Sequence, residues 1–364
     1  MKINYTMFGT TLTGGVRVLL EIVNCLIERG HRVTITTMGS PIDTKWFPLK
    51  AEIKYIGGTS FLERVLRFGI RKIFNVDPFY PRRYIKKLAK SIPECDINVA
   101  TFCLTAFSVF RSEKGVPFYH MQHYEPLIFD NPYLSKLAKE TYYLSLNKIA
   151  NCTWLKRKLE EEGIPNASNI PVINPAIDHK IFHCSYKRND IKKKKIKIVA
   201  LGKTVRWKGL LDLLQAMEIV FKKRKDIELV LFGCKTIPYK NFQIPYKCVS
   251  ILVNEELAQL YSSADVVVCP SWYESFPLPP LEAMACGTPV ITTMYGTEDY
   301  AFDGENALVV PPKDPKAIAE AILRILEDKK LADKLRESGL KTVKQFTWDK
   351  TTDKIEKLFL SKLK

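Results

Sequence analysis

A chain of 364 residues is too long for one ordinary hydrophobic core and comfortable for two. Its 46% hydrophobic content excludes a disordered chain, and nine scattered cysteines with no Cys-x-x-Cys pair argue against a disulfide framework or zinc site and for a reducing compartment. Lys plus Arg outnumber Asp plus Glu by 56 to 39, a formal charge of +17 that favours anionic partners such as nucleotides, phospholipid head groups or nucleic acid.

Residues 2–8 read as a strand that starts almost at once, so no secretory leader is expected, and no apolar run reaches transmembrane length. Gly14-Gly15 opens an amphipathic helix over 16–28, stopped by Gly30, and 33–37 is the next strand. Residues 61–74 have helical spacing with Arg64, Arg67 and Arg71 on one face, and Arg82-Arg83 and Lys86-Lys87 follow. Such a stretch reads either as a helix packed on its sheet with a solvated basic face or as a surface for an anionic membrane; the local concentration of charge favours the membrane, over 61–90. Strands follow at 97–100 and 117–121, the latter running into His120 and His123. Strand, helix and strand in alternation with short turns imply parallel βαβ units.

A second series begins after a connection at 170–185. The lysine run Lys192 to Lys195 reads as a solvated lead-in to a strand at 196–201; further strands are expected at 228–232, 266–269 and 289–293. Helices are expected at 209–221, 255–262, 277–286, 315–327 and 330–343. The pattern is α/β, two doubly wound halves with a cleft expected between them.

The chemistry concentrates around 272–287. The strand 266–269 ends where ligands of such sheets sit, beyond the carboxyl ends. The helix that follows starts near Pro277, pre-organised for a first turn, and its backbone N–H groups and dipole make an anion site. Glu274 precedes that start, and Glu282 lies inside the helix with its side chain leaning back toward it. A diphosphate at the helix start would then be flanked by two carboxylates that accept from sugar hydroxyls, and Gly287 closes the helix. Either acid alone reads as a cap or a solvated helix residue. Lys203 and Lys208 in turn read as loop lysines, yet they follow one strand end and precede one helix, where they would neutralise a leaving diphosphate.

The stretch 274–290, Glu-Ser-Phe-Pro-Leu-Pro-Pro-Leu-Glu-Ala-Met-Ala-Cys-Gly-Thr-Pro-Val, resembles the E-x7-E signature of retaining glycosyltransferases of family 4, which have the GT-B fold. Gly14-Gly15, the Gly202 to Gly209 loop, Ala264-Asp265 and Phe346-Thr347-Trp348-Asp349 extend the resemblance along nearly the whole chain. It implies two Rossmann-like domains facing across a cleft. Residues 1–172 would bind the acceptor, with a last helix in 346–364 crossing back onto them, and 173–345 would bind a nucleotide-sugar donor. It implies that Glu274 holds donor-sugar hydroxyls and Glu282 the ribose. Lys203, Lys208 and the Ser275, Phe276 and Leu278 segment would hold the diphosphate, Gly15 would let the first loop approach it, and 251–257 would flank the base. His123, with His120 as its rival, would face the reacting sugar and the acceptor.

Two departures bear on the donor. Lys203 stands in place of the usual arginine, a point charge for a fork, and Pro277 stands where glycine is frequent and removes one N–H. Altered donor affinity is expected. The resemblance further implies metal-independent chemistry, since no Asp-x-Asp motif occurs. It implies no cofactor, a sugar or lipid-linked acceptor from a polysaccharide or glycolipid precursor, and a cytoplasmic place at the inner face of a membrane. A nucleotide-sugar epimerase on the same fold, a basic nucleic-acid-binding protein and an inactive homologue that only binds are the rival readings. No helix-turn-helix, zinc or RNA-recognition signature supports nucleic acid, so none is expected as a partner.

Overall fold

The computed structural model describes residues 1–56, 80–184, 195–239 and 241–363, so the expected helix at 61–74 and most of the lysine run before 195 lie outside the described residues. The chain forms two compact units. One gathers Met1–Asn151, Leu155–Ile173 and Trp348–Lys364; the other gathers Cys152–Trp154 and Asn174–Thr347.

The first unit is built on six parallel strands: β1 (Lys2–Met7), β2 (Arg32–Thr37), β3 (Glu52–Tyr55), β4 (Ile97–Ala100), β5 (Val116–Met121) and β6 (Asn147–Ala150), in the order β3-β2-β1-β4-β5-β6. Central strands covered on both faces need apolar residues at nearly every position, and β4 is buried throughout. The polar exceptions satisfy one another across the sheet: Asn4 donates to Asn98 Oδ1 at 3.0 Å and accepts from Thr36 Oγ1 at 2.7 Å.

Helix α1 (Gly14–Glu28) starts where the Thr13 side chain accepts from the Val16 N–H, and it buries Val18, Leu19, Leu20, Ile22, Val23 and Leu26 at helical spacing. Helix α2 (Tyr80–Ser91) packs Tyr84, Ile85 and Leu88 inward and leaves Arg82, Arg83, Lys86 and Lys87 exposed, so this part of the basic stretch is an amphipathic helix with a solvated basic face. The unit continues with α3 (Cys103–Ser112), α4 (Pro132–Glu140) and α5 (Thr153–Glu161), and closes with α11 (Trp348–Ser361). The last helix lies on α1, where Arg29 meets Asp353 at 2.7 Å and Glu356 at 3.0 Å and Phe359 packs on Phe118 with ring centroids 4.7 Å apart.

The second unit repeats the plan. Its strands are β7 (Ile196–Leu201), β8 (Ile227–Phe232), β9 (Tyr246–Val249), β10 (Val266–Cys269), β11 (Val290–Thr293) and β12 (Leu308–Val310). They are all parallel, in the order β12-β11-β10-β7-β8-β9. The helices are α6 (Leu210–Lys223), α7 (Asn254–Ser263), α8 (Leu278–Ala285), α9 (Pro315–Glu327) and α10 (Lys329–Val343). Ile198, Leu213, Met217, Leu229, Val268, Ile291, Ile318 and Ile322 are among the side chains of its core.

Strands at 97–100, 196–201 and 266–269 and the helix at 315–327 stand where their patterns put them, and the other expected elements shift by one or two residues. The short strands β3, β6 and β9 escaped the pattern because polar residues interrupt them, and β12 because it has only three residues. Helix α3 escaped it because it is buried nearly all round.

Candidate active site

In the second unit the chain leaves β7 toward β8 on one side, while β10 leads to β11 on the other. This opens a crevice at the carboxyl ends of the neighbouring strands β7 and β10. Two loops run out of it side by side. From β7 come Gly202 to Gly209, ending in a 3-10 turn at Arg206–Lys208; from β10 come Pro270 to Pro277.

They are laced rung by rung. The Trp272 N–H donates to the Trp207 carbonyl at 2.7 Å, the Trp207 and Tyr273 rings stack at 6.1 Å and 14°, and Lys208 Nζ meets Glu274 Oε1 at 2.5 Å. Gly209 makes this closeness sterically feasible. It sits at φ +67°, and a Cβ there would lie 2.0 Å from the Pro270 carbonyl oxygen.

Two of the expected site residues, Lys208 and Glu274, are thus partners of each other. Glu274 is 8% exposed and the Lys208 side chain 26%. Burial by itself would pull the Lys208 ammonium down, but the Glu274 charge and hydrogen bond outweigh it and hold its pKa above the ordinary value. The pairing sets aside the readings that either residue carries in isolation, a solvated loop lysine at 208 and a simple helix cap at 274. Lys203, directly after Gly202, is exposed.

Helix α8 begins one residue later than expected. Pro277 is its N-cap in an extended conformation, and the first-turn prolines are Pro279 and Pro280. The start therefore lacks the N–H groups of three prolines rather than one, and the remaining amides are those of Ser275, Phe276 and Leu278. The Phe276 ring is turned into the core against Tyr300 and Phe346, at 5.0 and 5.7 Å; Ser275 and Leu278 are buried too. Gly287 ends the helix at φ +73°, with its N–H on the Met284 carbonyl and that of Thr288 on Ala283, a Schellman closure.

Glu282 is not a solvated helix acid: it is 5% exposed and accepts from the Tyr261 hydroxyl at 3.3 Å. Burial, followed by the Glu282 charge, pushes that phenol well above its usual range. Tyr261 is the partner that sequence reasoning missed. On α7 its spacing with Leu257 and Ala258 marks it only as a core position. Residues 251–253 precede α7 as irregular chain, with Ile251 exposed.

The remaining expected residues lie in the first unit. Gly15 is in the first turn of α1, and a Cβ there would meet Gln122 at an ordinary 3.6 Å. His120 does not stand at a strand end facing outward. It is inside β5, 1% exposed, and burial pushes its pKa down to about 4. His123 is two residues beyond the end of β5, part-buried. A carbonyl can only accept, so His123 Nδ1 carries the hydrogen that meets Tyr124 O at 3.2 Å. Among the described residues, no three or more His, Cys, Asp or Glu side chains gather as a metal site would require, and no helix is long and apolar enough to cross a membrane.

Two doubly wound parallel sheets, the second with a charged pair at its switch point, define a two-domain α/β protein of GT-B type. The structure of sucrose-phosphate synthase from Thermosynechococcus elongatus superposes with a TM-score of 0.74 at 19% identity, over 99% of this chain and 98% of that one. HepE of Anabaena, solved with UDP-glucose, gives 0.77 at 16% identity over 99% and 100%. Residues 12–181 match the family model described as Glycosyltransferase Family 4, and 185–342 match Glycosyl transferases group 1. The chain belongs to the group 1, family 4 glycosyltransferases.

Among its relatives, a D-inositol 3-phosphate glycosyltransferase of Paenarthrobacter aurescens is 30% identical over 200 residues, 50% of this chain and 49% of that one. An O-antigen chain mannosyltransferase B of Escherichia coli is 40% identical over 99 residues, 27% and 26% of the two chains. The matches span about half or less of the length of these curated relatives.

Proposed function

We propose that this chain moves a sugar from a nucleoside-diphosphate sugar to an acceptor hydroxyl, with retention of configuration and without a divalent metal. The observation that carries the reading is the Lys208–Glu274 pair at the switch point of the second unit, with the buried Glu282 on the helix that follows. A carboxylate held against an ammonium accepts hydrogen bonds from sugar hydroxyls and donates none. Glu274 takes the hydroxyls of the donor sugar and Glu282 those of the ribose. Lys208, Lys203 and the amides of Ser275, Phe276 and Leu278 take the diphosphate.

In the reaction the bond from the anomeric carbon to the diphosphate oxygen breaks, and its electron pair leaves with the nucleoside diphosphate. The acceptor oxygen forms the new bond on the same face, and its proton passes to the departing phosphate oxygen. Lys208 and Lys203 stabilise the charge that builds there, the part a metal plays elsewhere. Gly15, whose missing Cβ nothing in its own unit requires, leaves room for a ligand at the start of α1, and His123 faces the reacting sugar and acceptor. No cofactor takes part.

Relatives named for inositol phosphate and O-antigen acceptors support an acceptor from a glycolipid or polysaccharide precursor. The solvated basic face of α2 supports peripheral contact with an anionic membrane from the cytoplasmic side.

The test is a thermal-shift and diphosphate-release screen of nucleoside-diphosphate sugars in EDTA, followed by lipid-linked acceptors and NMR of the product anomer. A donor that stabilises the protein and loses its nucleoside diphosphate in EDTA, giving product of the donor's anomeric configuration, is the expected result. Inversion or loss of turnover in EDTA would refute those two parts separately. Conversion of one nucleotide sugar into another without acceptor would mark an epimerase, and no binding at millimolar concentration would sink the donor site.

A further inference from the structure

The first unit holds a buried carboxylate that the proposed reaction does not use. Glu125 is 1% exposed and opens the short turn Glu125–Ile128 just after His123. Its Oε2 accepts from the Cys103 N–H, the first of α3, at 2.6 Å, and its Oε1 accepts from the Tyr119 hydroxyl of β5 at 2.8 Å. Its own N–H donates to the Tyr142 hydroxyl at 3.0 Å, and Tyr142 donates in turn to the His123 carbonyl at 3.3 Å. The Tyr142 ring lies between those of Tyr119 and Tyr124, at 6.0 and 5.6 Å and within 21° of parallel to each.

Among the described residues no cationic side chain bonds to Glu125; the helix start at Cys103 is its electropositive partner. A buried carboxylate without a cation costs stability, and here the hydrogen bonds of Cys103 and Tyr119 are what offset that cost.

We infer that Glu125 is a positioning residue for His123: its carboxylate, clamped between the first N–H of α3 and the Tyr119 hydroxyl, fixes the backbone of 123–125, and Tyr142 passes that restraint to His123. The inference rests on the reading of His123 given above. The groups bonded to the carboxyl are the Cys103 N–H of α3 and the Tyr119 hydroxyl of β5; the Tyr142 hydroxyl of the 141–143 turn is bonded to the Glu125 N–H and feels the charge beside it. Burial raises the Glu125 pKa to about 7 against the hydrogen bonds of Tyr119 and Cys103, so its protonation falls in the working range. A protonated carboxyl turns the Tyr119 hydrogen bond around and loosens the clamp.

The experiment compares E125Q, Y142F, their double variant and H123Q. It reads amide hydrogen exchange over 122–126 and the pH profile of nucleoside-diphosphate release from UDP-glucose and GDP-mannose. E125Q is expected to speed exchange in that segment, to lower kcat about tenfold with KM within about twofold, and to flatten the limb near neutrality. Y142F keeps the carboxylate and is expected to act in the same direction, the double variant being no worse than the weaker single one. Parental exchange and a parental profile in E125Q would overturn the inference. If E125Q unfolds, Y142F decides: parental behaviour there overturns it too. H123Q with parental turnover would remove the role of His123, while the exchange data would still decide whether Glu125 holds the segment.

Discussion

Lys208 and Glu274 stand 66 residues apart in the chain and 2.5 Å apart in the fold. In K208M the 8% exposed Glu274 loses the ammonium against its Oε1, which costs about 1–3 kcal/mol after allowing for the partial exposure of the lysine. Because the folded pKa of Lys208 lies above the ordinary 10.5, the stabilisation is fully present below pH 10.5 and is lost as pH rises through the folded value. The difference in Tm between parent and K208M should therefore hold steady through neutral pH and shrink only beyond that point; a difference that vanishes in mild acid would contradict the assignment. For Glu282, loss of a charged hydrogen-bond acceptor predicts that E282A weakens nucleoside-diphosphate binding by about 10–100-fold in calorimetry. Unchanged affinity would sink the ribose assignment.

At the scale of elements, the site depends on two loops held backbone to backbone. The contact at Gly209 makes G209A costly twice over, through a positive φ and through the Pro270 carbonyl 2.0 Å from the new Cβ. About 1–3 kcal/mol is expected for the strained backbone alone, and separation of the loops should part Lys208 from Glu274 as well. Chemical denaturation would show a lower midpoint, and nucleotide affinity would fall with it; a variant with parental stability would mean that the two loops are not locked together. The start of α8 shows the opposite economy. Three prolines fix its geometry and remove three N–H donors, so the proposed diphosphate site would have a sparser cradle than a glycine-rich start would give.

At the scale of the molecule, each unit carries its own sheet and core, and the last helix belongs with the first unit although the preceding 174 residues belong with the second. Phe359 is 1% exposed against Phe118, and Ile355 is fully buried. F359A should destabilise the first unit by about 3–5 kcal/mol. Hydrogen exchange should show protection lost around α1, β5 and α11 and kept in β7 to β12. Equal loss in both sheets would show that the two cores do not melt as separate units.

The sequence by itself determined the α/β class, the order of most strands and helices, and the family. Apolar runs of four to six residues, helical periodicity and turn glycines are local signals that survive without coordinates. It also placed Gly287 as the residue closing its helix, since a Schellman end is a matter of neighbouring residues. Tertiary structure alone decided the electrostatics. Lys208 and Glu274 are each expected at the site from sequence, but their pairing is not, because nothing local says that β7 and β10 are neighbours. The burial of Glu282 against Tyr261 is likewise not legible, because Tyr261 comes from another helix. His123 is preferred over His120 by resemblance alone, and it is the end of β5 that separates a buried neutral ring from one beyond the strand. Glu125 drew no notice, because a carboxylate shows itself as buried and clamped only once α3, β5 and the 141–143 turn have closed around it.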